Sequence, residues 1–194
     1  MKRRDALRKV RTICERLDQS AYMPLDPDTF YIRPLKLYLF GSVLTDRPDP
    51  QDVDLLLLYT SGPRTEEKAM KIVAALAYGL PTPFDKASTH LRRGMKMVRL
   101  HEAEDSLRNC FMLYLFPNGE GLRLIWKPGG DWRAALEEIE AHPLPWPGPR
   151  SPDALEQARE AWRALSPEEA DAFYERVLVA LESREDIHKP GAPA

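Results

Sequence analysis

Two cysteines in 194 residues, Cys14 and Cys110, leave no material for a disulfide framework. They stand far apart in apolar surroundings and read as reduced core thiols, which suits a cytoplasm. No apolar run approaches the length needed to span a bilayer, and no hydrophobic stretch follows the basic N-terminus. Neither membrane insertion nor secretion is therefore expected. An excess of one charge is missing too. Lys and Arg number 28 against 30 Asp and Glu, a formal net charge of -2, so the overall balance demands no nucleic-acid partner. The four histidines, His90, His101, His142 and His188, show no metal-ligand spacing. None is expected as a structural zinc ligand.

What is present is apolar sequence in short, well-separated blocks. With 43% hydrophobic residues the chain can bury one good core, and one domain plus an appendage is the default expectation. Residues 3 to 19 read as an amphipathic helix, because Ala6, Val10, Ile13, Cys14 and Leu17 recur at helical spacing. Arg3, Arg4, Arg8, Lys9 and Arg11 cover its other faces and are expected to be solvated. A loop containing Pro24 and Pro27 leads to the apolar run Leu35 to Phe40, read as a strand. A second strand starts near Asp52 and runs through Leu55-Leu56-Leu57-Leu58-Tyr59. Arg64 to about Tyr78 then predicts a helix with Ala69, Ile72, Val73, Leu76 and Ala77 inward, stopped by Gly79. Residues 81 to 94 are ambiguous. Strands follow near 95 to 100, 111 to 116 and 122 to 127, the last two joined by a hairpin at Asn118-Gly119. Asp131 reads as the N-cap of a helix to about Ala141.

His142 to Pro149 alternates proline with other residues and marks the clearest boundary, since such a segment is extended and stiff. Ser151-Pro152 and Ser166-Pro167 each read as an N-cap followed by proline at the first helical position. The expected organisation is a sheet domain over 1–142, a proline-rich linker over 143–150, a helical hairpin over 151–187 and a disordered tail over 188–194. The hairpin is expected to pack on the sheet domain, and a protein-partner surface is the other reading. Trp126, Trp132, Trp146 and Trp162 read as core and linker anchors.

The chemistry concentrates in one segment. Phe40-Gly41-Ser42 ends one strand, and after Val43 to Gln51 the next begins with Asp52-Val53-Asp54. Residues two apart on a strand share a face, so Asp52 and Asp54 set two carboxylates side by side at the mouth of an apolar strand. Like charges so close are tolerable if one is protonated, if cations neutralise both, or if the strand end is wet. Mg²⁺ suits the second option because it takes hard oxygen ligands from one or two carboxylates plus substrate phosphates. Gly41-Ser42 supplies small residues that let backbone approach a phosphate closely, with the Ser42 hydroxyl as a further donor.

A strand ending in Gly-Ser, followed about ten residues later by a strand with Asp-x-Asp, resembles the DNA polymerase β-type nucleotidyltransferase superfamily, and most of all its small, stand-alone bacterial members. The resemblance is carried by residues 33 to 60 and continues in element order to about 130. It implies an α/β (α+β) fold with a mixed sheet of about five strands flanked by helices, and here a C-terminal helical hairpin. It also implies that Asp52 and Asp54 hold Mg²⁺ or Mn²⁺, that Gly41 and Ser42 hold the triphosphate of a nucleoside triphosphate, and that a nucleotidyl group moves to a hydroxyl of an RNA or protein acceptor. Toxin-antitoxin systems are one context for such members.

The superfamily normally adds a third carboxylate from a later strand. Met95 to Leu100 contains none. Glu102, Glu104 and Asp105 lie just beyond that segment and Asp85 before it, while Arg99 stands where an acid is expected and could pair with Asp52 or Asp54. Two functional expectations follow: a metal-dependent nucleotidyltransferase, or a degenerate relative that binds a nucleotide or a protein without chemistry. Arg92, Arg93, Lys96 and Arg99, with Lys36 and Lys127, form a candidate phosphate-binding group whose ordinary alternative is solvation or pairing with acids.

Overall fold

The computed structural model describes residues 1–19, 23–26, 30–63, 66–79, 81–102, 121–148, 151 and 153–173. Helix α1 spans Arg3–Gln19, the range its periodicity predicts, and buries Ala6, Leu7, Val10, Ile13, Cys14 and Leu17. Burial pushes the Cys14 thiol well above its ordinary pKa, and Asp18 raises it further, so Cys14 is a neutral core side chain. Cys110 lies outside the described residues. The basic side of α1 is not merely solvated, as the sequence suggested. Arg3 donates from Nη2 to the Ile139 carbonyl at 2.6 Å and from Nε to the Val43 carbonyl at 3.0 Å. Arg16 donates to the Leu91 carbonyl at 2.6 Å. Ile139 and Leu91 belong to the last turns of two other helices, where carbonyls have no intrahelical donor and a cation is favoured.

The strands are β1 (Met23–Asp26), β2 (Phe30–Phe40), β3 (Val53–Pro63), β4 (Val98–Glu102) and β5 (Leu122–Trp126). Strand β1 replaces part of the loop expected around Pro24. Strands β2 and β3 pair antiparallel from Phe30 opposite Pro63 to Phe40 opposite Asp54. Because β3 occupies that whole edge, β1 and β5 share the other one, β1 near Tyr31 and Ile32 and β5 along Leu37 to Phe40. Strand β4 joins β3 in parallel. The result is an open mixed sheet of five strands, four along the main path β1-β2-β3-β4 and β5 beside β1 on the other edge of β2. The strand expected at 111 to 116 and the hairpin at Asn118-Gly119 fall outside the described residues.

One sheet face carries Leu37, Leu39, Val53, Leu55, Leu57, Val98 and Leu100 into a core with the apolar side of α1. Burying each such leucine or valine contributes about 1.5–3 kcal/mol. The other face buries Tyr38, Phe40, Leu56 and Leu122. It also carries Asp54, which alternates with Leu55 and lies opposite Phe40.

Helix α2 (Glu66–Ala77) forms where the pattern predicts, and Gly79 follows with φ +67. Its orientation differs from the expectation. Val73 is 60% exposed, and Met70 and Tyr78 are exposed with it. The apolar residues of α2 cover more than one side, so their spacing does not select the buried one. The side chains of Ala69, Ile72 and Leu76 lie outside the described set. The ambiguous stretch 81 to 94 contains α3 (Pro83–Leu91), opened by a reciprocal cap between Thr82 and Asp85.

Helix α4 (Trp132–Ala141) starts at Asp131, whose carboxylate accepts from the Arg133 and Ala134 amides. The proline-rich segment is extended and docks on the loop after Gly41-Ser42. Leu144 exchanges backbone bonds with Leu44 and Asp46, the Trp146 amide donates to Asp46 at 2.9 Å, and Arg47 lies over the Trp146 ring. Helix α5 (Ala154–Ala164) begins later than Ser151-Pro152 suggests, and Asp153 makes no side-chain cap bond. Ser166 does cap the next helix, with Glu169 in a reciprocal pair, and residues 167–173 are helical. Trp162 and Phe173 meet edge to face at 6.2 Å. The rest of the expected hairpin and tail, 174–194, lies outside the described residues. Among the described residues no helix is long and apolar enough to cross a membrane.

Candidate functional site

Phe40 ends β2 in extended backbone, and Gly41, at φ +78, turns the chain into a short 3-10 helix, Gly41–Leu44. That conformation costs a side-chain-bearing residue about 1–2 kcal/mol, which selects glycine. Space selects it as well. A Cβ at Gly41 would lie 3.3 Å from Asp54 Oδ2, so the bare backbone of the corner sits directly against the Asp54 carboxylate. The turn is anchored from behind. Val43 and Leu44 are buried, and the Ser42 carbonyl accepts from the Thr45 hydroxyl at 2.8 Å. Ser42 itself is half-buried in the turn.

Asp52 precedes β3 and Asp54 is its second residue. Each side chain is 19% exposed, so both carboxylates are largely withdrawn from water yet reachable. Burial, and then the negative charge of Asp54, push the Asp52 carboxyl above its ordinary pKa, while Arg99 pulls it back in part. That coupling requires the two acids to be near neighbours on one side of the strand, as their spacing predicts. Gly41, Ser42, Asp52 and Asp54 are thus brought to one corner of the sheet.

Strand β4 supplies the partners of these acids, in a register the sequence did not reveal. Met97 takes φ +62, which breaks the extended run expected from residue 95 and delays the strand to Val98. In parallel pairing Asp54 then lies opposite Arg99 and Leu56 opposite His101. Arg99 Nε is 3.2 Å from Asp52 Oδ2. His101 Nε2 is 3.4 Å from Asp54 Oδ1, with its ring 5.4 Å from that of Phe40. His101 escaped the sequence reading because the strand was placed at 95 to 100. Extending the alternation from Arg99 by two residues would have found it.

The same register excludes a candidate third acid. Glu102 lies opposite Leu57 and accepts from the Tyr59 hydroxyl, on the face away from Asp54. Asp85 is engaged in the cap of α3. Glu104 and Asp105 lie outside the described residues. Among the described residues no group of three or more His, Cys, Asp and Glu side chains is placed to hold a metal ion. Two adjacent, part-buried carboxylates still fit Mg²⁺ or Mn²⁺ chemistry, in which waters and substrate phosphates complete the shell. Of the remaining basic candidates, Arg92 donates to the Ser88 and Val98 carbonyls, a structural use, whereas Arg93, Lys96 and Lys127 are exposed.

The raised pKa of Asp52 gives a stability prediction with a definite sign. The folded protein binds this proton more tightly than the unfolded chain, so the ionised carboxyl costs stability at neutral pH. That cost is relieved as pH falls through the folded-state value. In chelated buffer, Asp52→Asn is therefore expected to raise the urea midpoint at neutral pH and to raise it less near the ordinary carboxyl value of about 4. An equal or larger gain at the lower pH would contradict the assignment.

No protein-family model, curated protein or solved structure matches this chain.

Proposed function

We propose that the chain is a metal-dependent nucleotidyltransferase of the cytoplasm, resembling the small polymerase β-type enzymes. The observation that carries this reading is the apposition of the positive-φ Gly41 corner and the Asp54 carboxylate, with Asp52 beside it. Asp52 and Asp54 would hold Mg²⁺ or Mn²⁺, which when bound neutralises charge developing on the α-phosphate and the departing pyrophosphate. The chain's own part is positional. Gly41 removes the side chain that would keep a triphosphate from the carboxylates, and Ser42 adds a hydroxyl donor. The acceptor hydroxyl attacks the α-phosphorus and gives its proton to solvent, the bond to the bridging oxygen breaks, and pyrophosphate leaves. RNA and protein are the acceptor classes, and a toxin-antitoxin pair is one setting in which both nucleotide transfer and a partner for the C-terminal helices would be used.

The test is transfer of label to whole-cell RNA or protein fractions from nucleoside triphosphates labelled at the α- or the γ-phosphate. Transfer from the α position only, abolished by chelation, is expected. Transfer that survives chelation, or none from any of the four nucleotides, would overturn the enzyme reading.

The Arg99–Asp52 ion pair favours a second reading, since it neutralises one carboxylate without a metal. In that case the protein binds a nucleotide or a protein and performs no transfer. Calorimetry with nucleotide and Mg²⁺ addresses it: equal heats from the native chain and from the Asp52→Asn, Asp54→Asn double variant would remove any role for this corner.

A further inference from the structure

We propose that Arg99 makes the site select metal together with triphosphate over metal alone, by holding Asp52 in the empty site and moving to the phosphates when both arrive. The inference rests on the corner being a metal-nucleotide site, and it assigns a positioning role to a residue that neither the Gly-Ser turn nor the Asp-x-Asp pair contains.

Two observations carry it. Arg99 reaches Asp52 through Nε at 3.2 Å, yet its side chain is 66% exposed against 19% for Asp52. The pair therefore joins a solvent-facing cation to a recessed anion, and the cation can swing away without uncovering a buried surface. Exposed ion pairs of this kind contribute only about 0.2–1 kcal/mol, so the contact is easily exchanged. Second, Arg99 projects from the strand position directly opposite Asp54, so its guanidinium is tethered beside both carboxylates. Arg92 shows the contrasting case: it donates to two backbone carbonyls and has no such freedom.

Charge then decides the sequence of events. A bare divalent cation between Asp52 and Asp54 must compete with the guanidinium for Asp52 and is repelled by it once bound. A metal-triphosphate complex brings excess negative charge, and a planar fork of donors suits phosphate oxygens well. Arg99 should oppose the first ligand and assist the second.

Arg99→Gln separates these effects because they have opposite signs. The variant keeps a polar side chain at an exposed position, and thermal unfolding checks its fold. Mn²⁺ binding to the nucleotide-free protein, followed by loss of the free-ion paramagnetic resonance signal, is expected to tighten about two- to fivefold. Binding of inorganic tripolyphosphate with Mg²⁺, measured by calorimetry, is expected to weaken about tenfold or more, the value of a lost charge-assisted contact. Shifts in the same direction, or no shift in either, would overturn the role of Arg99. Failure of the underlying reading looks different. If Asp52→Asn and Asp54→Asn bind Mn²⁺ as the native chain does, or none of the proteins binds it, the metal site and the inference fall together.

Discussion

Asp54→Asn and Asp52→Asn should each reduce metal-dependent label transfer from α-labelled nucleotide at least about 100-fold, since a ligand to a charge-stabilising metal is worth several kcal/mol and each 1.36 kcal/mol is tenfold in rate. Asparagine preserves the shape of each side chain and removes only the charge and one oxygen. The fold has no need of that charge. Neither carboxylate belongs to the core cluster, and the ion pair of Asp52 is with a mostly exposed arginine. Circular dichroism should therefore be unchanged. Asp54 should show the larger loss, because the Gly41 corner proposed to receive the phosphate lies against its Oδ2. Transfer within a factor of a few of the native rate in either variant would sink the enzyme reading.

Asp18→Ala should destabilise the protein by about 2–3 kcal/mol, the value of charge-assisted hydrogen bonds whose donors are left in a part-buried setting. Asp18 lies near the C-terminal end of α1, where a negative charge opposes the helix dipole, so its value to the fold lies elsewhere. Its two carboxylate oxygens accept from the indole nitrogens of Trp126 and Trp132, each at 2.7 Å. Those residues are 5% and 2% exposed. One carboxylate thus ties α1 to β5 and α4. Alanine leaves both indole N–H groups to whatever water can reach them, and a red-shifted tryptophan emission should accompany a lower urea midpoint at unchanged slope. Asp18→Asn keeps one acceptor oxygen and should lose less. A midpoint unchanged by alanine would show that the Trp pair is held by packing alone.

Local rules were enough for much of the chain. The apolar spacing in residues 3 to 19 places both ends of α1, because a helix against a core needs one apolar stripe and little else. Asp131 announces α4 through its cap. The Gly-Ser turn and the Asp-x-Asp strand are legible as neighbours because a short connection leaves antiparallel pairing as the compact solution, and period two alone puts Asp52 and Asp54 on one side. Helix α2 shows the limit: apolar on more than one side, its pattern allows several orientations, and Val73 faces out.

Two carboxylates beside a glycine corner can be read from residue order, since strand alternation and the need for a positive φ are properties of the local backbone. Their surroundings come from segments distant in the chain. Strand β4 is parallel to β3 and reaches it only after α2 and α3, so its register depends on how that crossover packs, not on its own residues. A shift of one position would exchange the faces. As it stands, Arg99 and His101 look toward the acids and Glu102 looks away. The pairing of Asp18 with tryptophans more than a hundred residues distant likewise exists only once the sheet and α1 have met.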